Sequence, residues 1–513
     1  MIETYSSVVP LIAVLLPSSA ALLVLLTGER FRNLRDSWST IAAVVMVAVV
    51  ASMLPDVLDG RVPQTTIIEL SPGIDIMLRA DSAGMIFGLL ASSLWVLASV
   101  YAVGYMRVEH EHKQTRFFVA FALSLTAAAG VAFAANLLTF VIFYELLTLF
   151  TFPLVTHRET ESAIVAGRKY LTYTLSGGLM LIGGTAWVHM LGIDGTFVAG
   201  GLLADESISK ATAWGLLALL MVGVGVKSAV MPLHGWLPSA MVAPTPVSAL
   251  LHAVAVVKAG VFGVVRMLVF VFGAELLREI AAWQVIALFA AATLLIGSLL
   301  ALRHDNLKRR LAYSTISHLS YIVLGVALVG PIALVGALLH IVGHGVTKIT
   351  LFFVAGAINA HSHKENVSQL DGIGWQMPIT MGAFTLASLS MAGIPPFVLF
   401  TSKFYLGWGA TEVDQQIFMV VYLISGVLAS GYLFPIIYRA FWKRSLDHVG
   451  YGEADMRMVV PLAITGVLAL FLGIAPNLPF SFFELATNVA TAAFGPVDAL
   501  ASGASDVAAG AAR

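Results

Sequence analysis

The chain contains no cysteine. Disulfides, thiol chemistry and cysteine-ligated zinc or iron–sulfur sites are excluded by that absence alone. No glycine fingerprint follows a strand-like segment, so no nucleotide-binding site is expected either, and the chain is read as carrying no cofactor of its own. Charge is also scarce. Asp, Glu, Lys and Arg make up 11% of 513 residues and nearly cancel, leaving a formal charge of −1. A soluble domain carries about 25% charged residues. Nothing in this balance points to a nucleic-acid partner. A basic n-region is missing before the first apolar run, Val8 to Leu26, so that run reads as a retained span rather than a cleaved signal peptide.

What the chain has instead is apolar length. Hydrophobic residues are 59% of the sequence, and they recur in runs of about 20, long enough to cross roughly 30 Å of hydrocarbon. The expected fold is an all-α polytopic membrane protein. Its fourteen spans lie near 8–27, 38–55, 82–105, 116–134, 136–156, 168–191, 211–231, 246–272, 282–302, 311–329, 331–357, 376–409, 416–439 and 457–484. The segment 55–81 shows strand-like alternation and is expected as an extramembrane hairpin. The Ala/Gly/Ser-rich stretch 495–513 reads as a disordered tail. With both termini outside the cell membrane, 18 of the 28 Lys and Arg residues fall in inner loops and 5 in outer segments, a strong positive-inside bias.

The five remaining basic residues lie inside spans: Lys227, Lys258, Arg266, Lys348 and Lys403. Glu145 is the one acid well inside a span. A charge at the bilayer centre costs about 2.5–3.5 kcal/mol on insertion scales, so a set of them needs a reason. Arg266, near the outer end of its span, is expected to snorkel to the interface as an anchor. For any one lysine, a structural ion pair is the plain alternative. One acid cannot neutralise four lysines, however, and a buried lysine readily gives up its proton. The histidines extend the pattern. His252 precedes Lys258 on one span. His340, His344 and Lys348 form an i, i+4, i+8 stripe on another. His318 follows Ser314, Thr315 and Ser317. Imidazole shuttles protons near neutral pH. Metal ligation by His340 and His344 is the rival reading, but no Asp, Glu or Cys lies nearby in sequence to complete a set, and no metal is expected there.

Two spans are interrupted by proline: the seventh, with Pro232 and Pro238, and the twelfth, with Pro395 and Pro396. Proline frees backbone groups at membrane depth, which is tolerated only where protein or water covers them. Each break has a lysine within two turns. The breaks lie five spans apart, as two five-helix units (spans 4–8, 116–272, and spans 9–13, 282–440) would place them. An odd number of helices per unit inverts the second copy. Paired broken helices mark transport sites in inverted-repeat transporters. Residues 1–115 would then form an N-terminal three-span block and 457–484 a final span.

These residues bring a family into view. The segments Phe143-Tyr144-Glu145-Leu146, Pro232-Leu233-His234-Gly235-Trp236-Leu237-Pro238, Ala243 to His252 and Gly393-Ile394-Pro395-Pro396 resemble the antiporter-like subunits of respiratory complex I, membrane-bound hydrogenases and Mrp-type multisubunit cation/proton antiporters. The resemblance runs from about residue 75 to about 440. It implies that Glu145 and Lys227 form a functional ion pair, and that Lys258, His318, His340, His344, Lys348 and Lys403 continue a polar axis. Lysine at position 403 and a chain that ends soon after span fourteen resemble the Mrp-D type or the complex I subunit that also carries lysine there, and the Gly393-Ile394-Pro395-Pro396 turn and the Asp371-Gly372-Ile373-Gly374-Trp375-Gln376-Met377-Pro378 segment resemble the Mrp-D type more closely. Where the family often carries an aromatic pair, this chain has Gly345-Val346-Thr347, which leaves room for a water or a smaller packing partner.

The function this implies is proton conduction within a multisubunit Na+(K+)/H+ antiporter. Protons would enter from the cytoplasm, pass along lysines and histidines in mid-membrane and leave near Lys403, with Glu145–Lys227 as a gate. The expected partners are other integral membrane subunits, lipids, H+ and Na+ or K+. A proton-pumping arm of a complex I-like NADH:quinone oxidoreductase or hydrogenase is the alternative. A structural arm component without transport of its own is a third reading. Any redox chemistry would belong to partner chains.

Overall fold

A computed structural model describes residues 3–71, 73–204, 206–444 and 450–496. The expected tail from 497 onward lies outside the described residues. Near the N-terminus a small sheet forms. Strand β1 (Glu3–Ser6) pairs in parallel with β2 (Arg61–Ser71), which pairs antiparallel with β3 (Ile74–Arg79) in the register Gln64↔Arg79 and Thr66↔Met77. The alternating residues of 66–78 are the arms of this hairpin.

The rest is helical. In chain order the main helices are α1 (Val9–Thr27), α2 (Arg32–Ser52), α3 (Ser82–Val108), α4 (Gln114–Phe133), α5 (Leu137–Val155), α6 (Glu161–Met190), α7 (Lys210–Lys227), the helical run α8 (Thr245–Glu279), α9 (Ala282–Arg303), α10 (Leu307–Ala327), α11 (Pro331–Ser362), α12 (Pro378–Ala392), α13 (Val398–Glu412), α14 (Gln416–Trp442), α15 (Met456–Ile474) and α16 (Phe482–Phe494). Among the described residues, 11 helical segments are long and apolar enough to cross a membrane. The more polar α6 and α10 and the broken pair α12–α13 occupy the other three expected places. The last expected span, 457–484, is two helices: α15 ends at Ile474, and α16 starts at Phe482.

Helix starts follow local chemistry. Asp81, Asn136, Thr160, Ser209 and Asn306 each accept a hydrogen bond from the backbone three residues on and so cap α3, α5, α6, α7 and α10. Burial then sorts the helices. The apolar windows of α8 and α11 are wholly buried, whereas that of α2 is only 28% buried. Leu288 on α9 and Val427 on α14 point outward, 66% and 73% exposed, as lipid-facing side chains do. The helices α8 and α11, whose apolar windows are wholly buried, carry His252, Lys258, His340, His344 and Lys348.

Two backbone clasps share one spacing. Near the start of α5, Leu137 N–H donates to the Gly195 carbonyl and Phe197 N–H to the Ala135 carbonyl, both across the Asn136↔Thr196 bridge. Near the start of α10, Leu307 N–H donates to the Glu365 carbonyl and Val367 N–H to the Asp305 carbonyl across Asn306↔Asn366. Both bridging positions shift by the same amount (306 − 136 = 170; 366 − 196 = 170). The starts of α5 and α10 are therefore clasped in the same way.

The structure corrects the expectation for Arg266. It does not snorkel. Its side chain is fully buried and grips Asp81 at the N-cap of α3 through Nη1 (2.6 Å) and Nη2 (2.8 Å). The rings of Phe197, Phe262 and Phe270 surround the guanidinium. Burial here is possible because a planar fork meets a carboxylate on both oxygens. Periodicity gave Arg266 a position along its helix but could not reveal that Asp81, 185 residues away, faces it.

Candidate functional site

Helix α7 stops at Lys227, and the following turn through Pro232 is non-helical. Its freed backbone groups find partners. Trp236 Nε1 donates to the Val226 carbonyl (2.8 Å), and Met231 N–H donates to Thr293 Oγ1 on α9 (3.0 Å). Pro238 lies within a short helix, Trp236–Ser239. The second break runs between α12 and α13, where Pro395 and Pro396 interrupt the helix. There Lys403 Nζ donates to the Met391 carbonyl near the end of α12 (2.7 Å). Both breaks thus sit beside a lysine, and protein groups satisfy the exposed backbone.

Lys227 is fully buried. Its Nζ lies 3.8 Å from Glu145 Oε1 and 3.5 Å above the Tyr144 ring, and it donates to the Tyr144 carbonyl. The pair is close yet not bonded tightly: Glu145 Oε1 makes no hydrogen bond. Two glycines set this geometry by close approach. A side chain at Gly178 on α6 would land inside the Glu145 carboxyl group. One at Gly260 on α8 would strike the Lys227–Ser228 backbone.

From Lys258 the contacts run continuously. Lys258 Nζ is 2.7 Å from His344 Nδ1. The His344 and His318 rings stack with centroids 5.6 Å apart. His318 Nδ1 is 3.2 Å from His340 Nε2, and His340 Nδ1 is 2.9 Å from Ser402 Oγ. Ser402 adjoins Lys403, whose ammonium sits 5.2 Å from the Tyr321 ring. Tyr321 in turn stacks on both His318 and His340, at 5.1 and 5.0 Å. Lys403 lines a cleft of about 720 Å³ between α13 and α14, together with Phe404, Tyr422 and Val427.

Two more polar residues flank this line. His252 Nδ1 is 2.9 Å from Thr315 Oγ1. Lys348 donates to the Leu311 carbonyl (3.1 Å) and to Ser314 Oγ. A π-helical turn over Leu250–Val254 carries His252, and such turns often mark functional positions. The Gly345-Val346-Thr347 segment is filled by small partners. Leu90 packs over Gly345, and Thr347 Oγ1 meets Ser390 Oγ at 3.1 Å.

Of the nine polar residues expected on the axis, seven are fully buried, and Glu145 and Lys403 are partly buried. Five of them, Lys258, His344, His318, His340 and Lys403, form one run, and His252 and Lys348 border it from α8 and α11. Lys227 and Glu145 form a separate pair; among the described residues no hydrogen bond joins Lys227 to Lys258. The outer nitrogens of His252, His318 and His344 have no protein partner, so each retains hydrogen-bonding capacity for water or a moving proton. Apart from Lys227, these lysines are held by carbonyls, hydroxyls or imidazole rather than carboxylates. Sequence reasoning missed Ser402, Tyr321 and Tyr144. Tyr321 carried a signal, lying three residues after His318 on the same helix face.

Comparison with known proteins adds an independent line. Residues 134–429 match the family described as NADH:quinone oxidoreductase/Mrp antiporter, TM. The chain is 32% identical to the N subunit of NADH-quinone oxidoreductase from Desulforudis audaxviator over 78% of this chain and 82% of the relative. It is 33% identical to the A/B subunit of a probable K(+)/H(+) antiporter of Rhizobium meliloti over 90% of this chain, but spans only 46% of that protein. Against the A1 subunit of a Na(+)/H(+) antiporter of Staphylococcus aureus it is 29% identical and spans 62% of the relative. In fold it is similar to a chain of the Mrp complex from Dietzia sp. DQ12-45-1b, with a TM-score of 0.83 at 21% identity, covering 96% of this chain and 98% of that one. A chain of the archaeal membrane-bound sulfane sulfur reductase matches equally well, with a TM-score of 0.83 and coverage of 97% and 99%.

Proposed function

The chain belongs to the NADH:quinone oxidoreductase/Mrp antiporter family of transmembrane proteins, and from that premise we propose that this antiporter-like protein conducts protons along its central Lys/His line within a multisubunit Na+(K+)/H+ antiporter. The observation that carries the reading is the run of contacts from Lys258 through His344, His318 and His340 to Ser402, hydrogen-bonded at each step except the His344–His318 ring stack, and ending beside Lys403 at a cleft. Imidazole takes up a proton on one nitrogen and releases one from the other, so a ring bonded on both sides relays without travelling. The lysines supply sites whose charge burial makes easy to give up.

Glu145 and Lys227 act as the gate. When the pair is closed, the carboxylate keeps the proton on Lys227. When it opens, that support is lost and the proton passes towards Lys258. Protons enter from the cytoplasmic side and leave through the cleft at Lys403. Fourteen spans, with both termini outside a bacterial cytoplasmic membrane, and two inverted five-helix repeats complete the arrangement. The equal spacing of the two backbone clasps supports the repeat. Lysine at the second break supports the Mrp-D type. Other membrane subunits complete the assembly, as in the complexes that contain the two structural neighbours.

The test is Na+- or K+-driven alkalinisation in inverted vesicles that carry the assembled complex. Glu145→Gln and Lys227→Ala should each abolish coupled transport, and Lys403→Ala should block the exit. Normal exchange in all three would refute the reading. A complex I-like proton pump is the second reading. The 82% coverage of an N subunit favours it, and it predicts proton movement driven by electron transfer with no response to added Na+ or K+.

A further inference from the structure

Outside the central line, the described residues contain one cluster of three groups able to hold a metal ion: Glu111, His112 and His157. It lies where two connections meet, the one from α3 to α4 and the one from α5 to α6. One ligand atom from each residue lies within 4.8 Å of the other two. Nothing in the proposed transport route uses them.

His157 is the informative member. It is fully buried, and neither ring nitrogen makes a hydrogen bond. The main chain of His112 comes near it without a bond of good geometry. A buried imidazole with both nitrogens idle is unusual, because buried polar groups are almost always paired. Its ring stacks against His112 at 5.2 Å and meets the edge of Phe117 at 5.4 Å. Glu111, by contrast, is hydrogen-bonded. Its N–H donates to the Met106 carbonyl (3.1 Å), and its Oε1 accepts from Arg158 Nε (2.9 Å). His112 is the exposed member. Its side chain is 44% exposed, and Lys113 beside it has a φ of 50°. Glu159 takes Lys113 and Arg116, and Glu111 takes Arg158.

We propose that Glu111, His112 and His157 form a binding site for a divalent transition-metal ion of the zinc class. Two imidazoles and a carboxylate are a donor set that Zn2+ accepts, with a water in the fourth position. Donor atoms around tetrahedral zinc are about 3.3 Å apart, so ligand atoms that already lie within 4.8 Å of one another need to close by at most roughly 1.5 Å. The bound ion would pin the C-terminal end of α3 to that of α5, the helix that carries Glu145.

The test uses the full-length protein in its assembled membrane complex, extracted in detergent, stripped of metal and titrated with Zn2+ by calorimetry. X-ray absorption at the zinc edge should show a nitrogen/oxygen shell at about 2.0–2.1 Å with imidazole scattering. His112→Ala, on the exposed loop, should weaken binding by at least about tenfold, as should Glu111→Gln and His157→Asn. His112→Ala disturbs little packing, so it keeps the test decisive if His157→Asn fails to fold. Unchanged zinc affinity in His112→Ala overturns the site. So does loss of binding in His340→Gln with His112→Ala unaffected, which would put the ion on the central line.

Discussion

Gly178→Ala tests the gate without touching a charged residue. The new methyl group would occupy the space of the Glu145 carboxyl, so the carboxyl must rotate away from Lys227. At the present 3.8 Å and an effective dielectric near 20, the pair attracts by about 4.4 kcal/mol. Displaced to about 6 Å, it retains about 2.8 kcal/mol. The difference of about 1.6 kcal/mol corresponds to roughly a 15-fold change in any equilibrium set by closure of the pair. That figure is an upper bound, because the Tyr144 ring and carbonyl continue to hold Lys227. The assay is cation-driven proton exchange in inverted vesicles, normalised to the amount of assembled complex. Gly183→Ala is the matched control: it lies on the same helix, and its added carbon would meet nothing within 4 Å. Exchange should fall close to tenfold in Gly178→Ala and stay unchanged in Gly183→Ala. Equal rates in the two variants would refute the gate geometry.

Other perturbations separate structural from conducting roles. Arg266→Ala leaves the partly buried Asp81 with the Gly84 N–H but without its bidentate guanidinium and should cost on the order of 3 kcal/mol, read as a fall in melting temperature or loss of the assembled complex; an interfacial anchor would cost little. Ser402→Ala removes the partner of His340 Nδ1 and should cost about 1–3 kcal/mol of stability. It should also slow proton transport while leaving complex assembly intact, and wild-type transport would remove Ser402 from the route. Tyr144→Leu deletes the ring 3.5 Å from Lys227 and should weaken the hold on the ammonium by about 0.5–2 kcal/mol. Tyr144→Phe keeps the ring face and should exchange protons at the wild-type rate in the same vesicle assay.

The membrane-spanning character was legible because it depends on local composition alone. Twenty apolar residues cross a bilayer whatever their neighbours do, and charged residues inside such runs stand out. The two breaks were legible for the same reason, since proline acts on its own helix. The stripe of His340, His344 and Lys348 followed from helical periodicity. Membership of the antiporter-like family was carried by contiguous motifs around Glu145, Lys227 and Pro395.

Contacts across helices were not legible. Arg266 illustrates the limit: a lone arginine near a span end looks like an anchor until Asp81 is seen to meet it on both oxygens. The order of the Lys/His line was equally hidden. Lys258 and His344 are separated by 86 residues and His340 and Ser402 by 62, and no spacing rule pairs them. The final span also misled, because the apolar stretch 457–484 continues through a break that begins after Ile474. Residue order was enough to say that charge enters the membrane, on which helices, and at which two interruptions. It took the packed helices to say which of those charges are neutralised, which are linked and which reach a cleft. Insertion of a helix is a sum over its own residues, whereas a hydrogen bond or an ion pair exists only when two distant segments arrive at the same point.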